Sequence, residues 1–222
     1  MSATSRPQRS GRWLPFALIA LGGLPVVAGT LRLAELAGAP PVLPLNPRIA
    51  ASPAPVVIHV AAAILYLVVG AFHFSAPVRR RWLAWHRRAG PVLVTLGLAV
   101  ALSALWMTQF YPREDGTGIL HYLFRLSFGS AMAACLVLGV AAVRRHDFVV
   151  HQAWMIRAYA LAAGAGTQVF TLGIGESLFG ASELSSGLAL GAGWAINLIV
   201  AEYVIARLRN ARIKRPTALQ AA

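Results

Sequence analysis

Acidic side chains are scarce in this chain: seven Asp and Glu stand against twenty Lys and Arg in 222 residues, and charged residues of both signs make up only 12%. A soluble domain of that length needs more polar surface than this to cover its outside. Instead 58% of the residues are hydrophobic and the mean hydropathy is +0.65. Cysteine is nearly absent as well. A single residue, Cys135, excludes a disulfide framework and any cysteine-built metal site. Its place inside an apolar stretch points to a packing role. Long polar stretches are also lacking, since tails and links are mostly shorter than ~20 residues, which leaves no room for a separate soluble domain.

Six apolar stretches fill the rest, over residues 13–33, 54–76, 91–110, 119–143, 152–172 and 187–208. Each is close to the ~20 residues that a helix needs to cross ~30 Å of hydrocarbon. The expected architecture is therefore all-α: a polytopic membrane protein with six transmembrane helices over residues 13–209, a basic tail at 1–12 and a second tail at 210–222. The first stretch has the basic flank of a signal peptide, but it is longer than a signal's apolar core and lacks a clear small-x-small exit, so it is expected to be retained.

The net charge of +13 would suggest a nucleic-acid partner in a soluble protein. Its distribution argues against one. Arg6, Arg9 and Arg12 precede the first stretch; Arg79, Arg80, Arg81, Arg87 and Arg88 lie between the second and third. Arg144 and Arg145 separate the fourth from the fifth, and Arg207, Arg209, Arg212, Lys214 and Arg215 follow the sixth. All of these fall on one side of the membrane, against Arg32, Arg48 and Arg113 on the other. The positive-inside rule then places both termini in the cytoplasm. Glu35, Glu114, Asp115, Glu176 and Glu183 gather on the opposite side. Membrane lipids are natural partners, because basic clusters attract anionic headgroups at roughly 1 kcal/mol per residue.

Pro25 inside the first stretch predicts a kink, and the proline-rich link at 34–53 predicts an extended cap over the outer face. The link at 174–186 is expected to be a second long outer loop. Trp13, Trp82, Trp85, Trp106, Tyr111 and Trp154 fall near predicted helix ends, as interfacial aromatic belts do. Gly164, Gly166, Gly187, Gly191 and Gly193 permit close helix contact; packing is the plainer reading, and a narrow slot for a planar cofactor is the sharper one.

Four of the six histidines stand where stretches begin. His59 lies about a turn into the second, His86 just before the third, His121 at the start of the fourth and His151 at the start of the fifth. Since successive spans alternate in direction, His59 and His121 share the outer leaflet, and His86 and His151 the inner one. Each pair joins alternate helices of a central four-helix bundle formed by the second to fifth spans, where two can face each other. Two neutral imidazoles across an apolar slot are what a b-type haem needs, and two haems stacked through the bilayer would conduct electrons across it, from or to a quinol or other small reductant. The plain reading is an interfacial histidine whose polar tip reaches headgroup water. His73, fourteen residues after His59, is ~21 Å further along the same helix on nearly the same face, and so competes with His86 for the inner iron. Pro91 is expected to open the third helix, which would leave His86 outside it. His146 is expected in solvent.

Arg125, Arg157 and Glu202 fall within predicted helices, where a charge costs several kcal/mol unless paired. Arg157 and Glu202 lie at similar depth, which suggests an ion pair. The functional reading makes Arg125 and Arg157 contacts for a haem propionate or quinone and Glu202 a proton relay. Two rival functions remain open: a cofactor-free transporter or assembly partner with a polar path at Arg125, Arg157 and Glu202, and a membrane metalloenzyme using three histidines, for which Glu202 is the one intramembrane carboxylate.

The run from Ile58-His59 to Gly70, the segment Trp85-His86-Arg87-Arg88-Ala89-Gly90 and the segment His151-Gln152-Ala153-Trp154-Met155-Ile156-Arg157-Ala158-Tyr159-Ala160 resemble the bacterial membrane-protein family named domain of unknown function 2306, over roughly residues 54–172. That resemblance implies a membrane bundle and no established activity. The chain departs from the family pattern at Pro91, where a basic residue is usual, and at His73, where glutamine is common, so the resemblance implies that His73 is not a family ligand. In topology and spacing alone, the arrangement also looks like the diheme cytochrome b-561 architecture, which by position would nominate His59 with His121 and His86 with His151.

Overall fold

The computed structural model describes residues 13–113 and 116–213, with only the backbone of Ala76. All regular structure among them is helical. The elements are α1 (Leu14–Leu21), α2 (Gly23–Leu36), α3 (Pro47–Ala51), α4 (Ala54–His73), α5 (Ala76–Arg81), α6 (Leu83–Phe110), α7 (Ile119–Arg144), α8 (Phe148–Ala162), α9 (Gly164–Phe179) and α10 (Glu183–Ile213). Four of these, α4, α6, α7 and α10, are each long and apolar enough to cross a membrane, and α1 with α2 makes a fifth if the bent pair is one span.

Large apolar side chains cover the outside of the long helices. Leu102, Val137 and Ile199 are all more than half exposed, a surface that would aggregate in water and that lipid solvates. The buried core is drawn from four helices: Ala62 and Tyr66 of α4, Leu93, Val100 and Ala101 of α6, Met132, Cys135 and Leu136 of α7, and Ala158, Tyr159 and Leu161 of α8. Cys135 thus has the packing role expected of it. Tyr159 also donates from its hydroxyl to the Leu67 carbonyl at 2.8 Å, which ties α8 to α4. On the far side α10 packs against α7, α8 and α9, and α1 and α2 lie along α4.

Four expectations about helix limits are corrected. The first stretch bends by 53° at Gly22, not at Pro25; Pro25 stands in the first turn of α2, where a missing N–H costs little. The third helix starts at Leu83 and carries Pro91 inside it, so His86 belongs to the helix. The fifth stretch is broken at Ala163 into α8 and α9. Finally, the expected loop at 174–186 is mostly helix, because α9 runs on to Phe179 and α10 begins at Glu183.

The break at Ala163 has a partner network. The last carbonyls of a helix lack intrahelical donors, and in an apolar interior they must find others. Trp194 Nε1 donates to Leu161 O and Asn197 Nδ2 to Ala160 O, both at 3.1 Å. Thr167 in turn donates to Asn197 Oδ1 at 2.8 Å. Gly166 then lets the backbone of α1 approach: a Cβ there would stand 2.3 Å from the Leu21 carbonyl oxygen. The glycines of α10 are filled against likewise, Gly187 by Leu120, Gly191 by Phe124 and Gly193 by Gln168. Packing explains them, and no slot remains along that stripe.

The outer proline-rich link is folded back on α2. Glu35 accepts from the backbone N–H groups of Val42 and Leu43, each at 2.6 Å, and from Arg32 at 2.8 Å. Arg48 reaches the Pro112 carbonyl, and the Tyr111 hydroxyl donates to Ser52 O.

Candidate functional site

The histidines divide between the two ends of the helices. At the end expected to be the outer one, His59 Nδ1 lies 3.1 Å from the Val100 carbonyl and 3.1 Å from Ser103 Oγ, both on α6. A carbonyl only accepts, so Nδ1 carries the proton and Nε2 keeps its lone pair. His121, buried in the first turn of α7, lies against α10, its Nδ1 3.6 Å from where a Gly187 Cβ would be. The expected outer pair therefore faces two different neighbours, α6 and α10, while α4 packs mainly on α6, and α7 on α8 and α6.

Two imidazoles stack at the other end, and a third lies within electrostatic range of them. His73 closes α4, and its ring stacks on that of His86 in α6 with centroids 3.9 Å apart and planes 21° from parallel. Trp85 packs on His73 at 5.1 Å. His151 is near enough to act electrostatically on both. Asp147 caps α8 by accepting from Val150 N at 3.0 Å, which sets the first turn that carries His151. His151 Nδ1 lies 2.9 Å from the Gly139 carbonyl and so, like His59 Nδ1, donates to a backbone oxygen of the neighbouring helix. His73 Nδ1 and His86 Nδ1 are buried without a hydrogen-bond partner. The sequence offered His73 and His86 as competitors; the fold places them face to face.

Arg79 was missed as a site residue, because it reads as one more basic residue in a link. Ser75-Ala76-Pro77 starts the short helix α5, which turns Arg79 back to half-burial beside His73 and His86. Burial, with Arg80 and Arg212 nearby, pushes its pKa below the usual arginine value.

The intramembrane charges are less buried than expected. Arg157 and Glu202 form a two-point ion pair, Nε to Oε1 at 2.5 Å and Nη2 to Oε2 at 2.9 Å, and Arg157 also lies over the Trp154 ring at 4.7 Å. The pair is on the surface, with about half of the Glu202 side chain exposed. Arg125 stands on an exposed face of α7, ~9 Å from the start of that helix, from where an arginine reaches headgroup level. His146 occupies the left-handed residue that ends α7, with φ 60°, and is exposed as expected.

A family model described as predicted membrane protein (DUF2306) matches residues 56–205. The chain belongs to that family. The match runs beyond the segments that carried the resemblance in sequence and takes in α9 and most of α10. No curated protein and no solved structure matches the chain. The family's span contains His59, His73, His86, His121 and His151, together with Arg79, Arg125, Arg157 and Glu202.

Among the described residues, no three His, Cys, Asp or Glu side chains are grouped so as to hold a metal ion. A haem asks less, two imidazoles end-on to one iron with the macrocycle between them. Rings stacked face to face at 3.9 Å leave no width for it, so His73 and His86 do not form such a pair. His59 and His151 do meet one requirement of a ligand: ligating imidazoles commonly donate their second nitrogen to a carbonyl, which fixes both tautomer and orientation.

Proposed function

We propose that this DUF2306 protein is a six-span protein of the bacterial inner membrane, with both termini in the cytoplasm and α4, α6, α7 and α8 as its central bundle, that transfers electrons between the two faces. One observation carries the reading: His59 and His151, near opposite ends of the bundle, each have Nδ1 on a backbone carbonyl of the neighbouring helix, Val100 and Gly139, and Nε2 free to ligate. His121 and His86 are the second ligands on this reading, and a b-type haem at each end would supply one-electron chemistry. His86 must turn off His73 to serve. Arg157, held by Glu202, is then a support for α8 against α10 and not a propionate contact.

The cofactor-free reading has no observation in its favour. Arg157 and Glu202 engage each other on an outer surface, and Arg125 lies on a separate exposed face of α7.

The test is the absorption spectrum of protein purified in detergent after haem-replete expression, oxidised and then reduced with dithionite. A Soret band with a sharp reduced alpha band is expected, and His59→Ala and His151→Ala should each remove a different half of it. A folded protein without that spectrum overturns the proposal.

A further inference from the structure

Among the described residues, no carboxylate side chain pairs with Arg79 or Arg212 at the histidine-rich end. The chain has seven carboxylate side chains; Glu35, Glu176 and Glu183 belong to the opposite end, and Glu114 and Asp115 fall in the sequence between α6 and α7. The other two are in use. Asp147 accepts from the backbone of α8, and Glu202 is held at two points by Arg157. Neither tail outside the described residues carries an Asp or Glu.

Into this region the fold brings Arg79 from α5, Arg212 from the end of α10, and the imidazoles of His73 and His86. Arg212 is tied down by its 2.6 Å bond to Gln152 Oε1 at the start of α8, and it is close enough to Arg79 to act on it, as is Arg80. Arg79 is half buried, and no described carboxylate pairs with it. A guanidinium stripped of part of its water and set beside two like charges is an unfavourable arrangement for an empty site. His73 Nδ1 and His86 Nδ1 add two buried polar atoms with no partner, in a protein class where such atoms are few and call for an explanation.

We infer that Arg79, with Arg212 and the edge of the His73 ring, forms a binding site for a phosphate group at the cytoplasmic end of the bundle. An oxyanion there gains a charge-assisted bond to Arg79 and accepts from a ring N–H, and it relieves the repulsion among Arg79, Arg80 and Arg212. The diffuse attraction of basic residues to an anionic bilayer needs no site and treats all exposed arginines alike. Half-burial and lost hydration set Arg79 apart from them. The site does not depend on the haem reading, since it requires the charge at Arg79 and no metal.

The test measures binding to the purified full chain in detergent with two probes, short-chain phosphatidylglycerol and inorganic phosphate, with phosphatidylcholine as the zwitterionic control. Arg79→Gln is compared with Arg88→Gln, an exposed arginine of the same end. Loss of one specific cation should weaken the bound probe by about fivefold or more for Arg79→Gln, and leave Arg88→Gln close to wild type. Binding of the lipid alone identifies a headgroup site; binding of inorganic phosphate as well identifies a site for a soluble phosphate ester. Equal weakening by both variants, or no binding of either probe, overturns the inference. Arg212→Gln, at an exposed position, gives the same reading should Arg79→Gln not fold.

Discussion

The two ends of the bundle differ in how completely they satisfy their own polar groups. At the outer end several polar groups are bonded within the protein: Glu35 holds the link after α2 by two backbone N–H groups and Arg32, Arg48 and Tyr111 join the links, and His59 is bonded to α6. At the inner end two imidazole nitrogens and a half-buried arginine are left over. Both ends carry histidine at a helix terminus, so residue type does not explain the contrast. What differs is the availability of acceptors, since carboxylates are confined almost wholly to the outer end. An end that lacks acceptors of its own is the end that takes one from outside.

Substitutions can break or sharpen that contrast. The largest effect is expected between the two ends, where α9 meets the end of α1. Gly166→Leu pushes a side chain into the Leu21 carbonyl, backbone that cannot swing away, and should cost about 3 kcal/mol or more; thermal unfolding in detergent reads this as a collapse of folded yield. Next come the paired changes His59→Phe and His73→Phe. The outer one discards bonds to Val100 and Ser103 and should lose about 1 kcal/mol or somewhat more. The inner one removes a nitrogen that has no partner, and in the absence of ligand should be neutral or raise the melting temperature. If both histidines proved equally costly to replace, the contrast between the ends would be wrong.

Glu202→Gln weakens the clasp between α8 and α10, and for an exposed pair the loss should stay below about 1 kcal/mol; a double-mutant cycle with Arg157→Gln measures it. Glu35→Ala should leave helix content unchanged by circular dichroism while making the link at 37–46 cleave faster in limited proteolysis. The smallest effect is expected at His146, whose φ of 60° suits glycine. His146→Gly should be neutral or stabilise by a few tenths of a kcal/mol.

Much of the fold was legible because lipid imposes a length and a composition on anything that crosses it. The start of α4, the ends of α6 and α7 and the Arg157–Glu202 pair could be found from run length, turn residues and depth. The break at Ala163 could not. No proline marks it, and it persists because Trp194 and Asn197, some thirty residues later, satisfy its carbonyls. Pro91 misled in the other direction, as it suits a helix start yet is carried inside α6.

In the candidate site, periodicity and alternating span direction grouped His86 with His151, which lie within electrostatic range of each other. They could not show that His73 stacks on His86, nor that α5 returns Arg79 to the same place. Those depend on the turn between α4 and α6, where one or two residues of register decide which side chains meet.

Hydrophobic run lengths, a property of local composition, were enough to specify an all-helical membrane protein with several apolar spans. Which imidazoles touch, which carbonyls they hold and which charge is left without a counter-ion were decided by tertiary packing. A side chain's partner in a bundle comes from another helix, and rotation about the helix axis is not written in any single span.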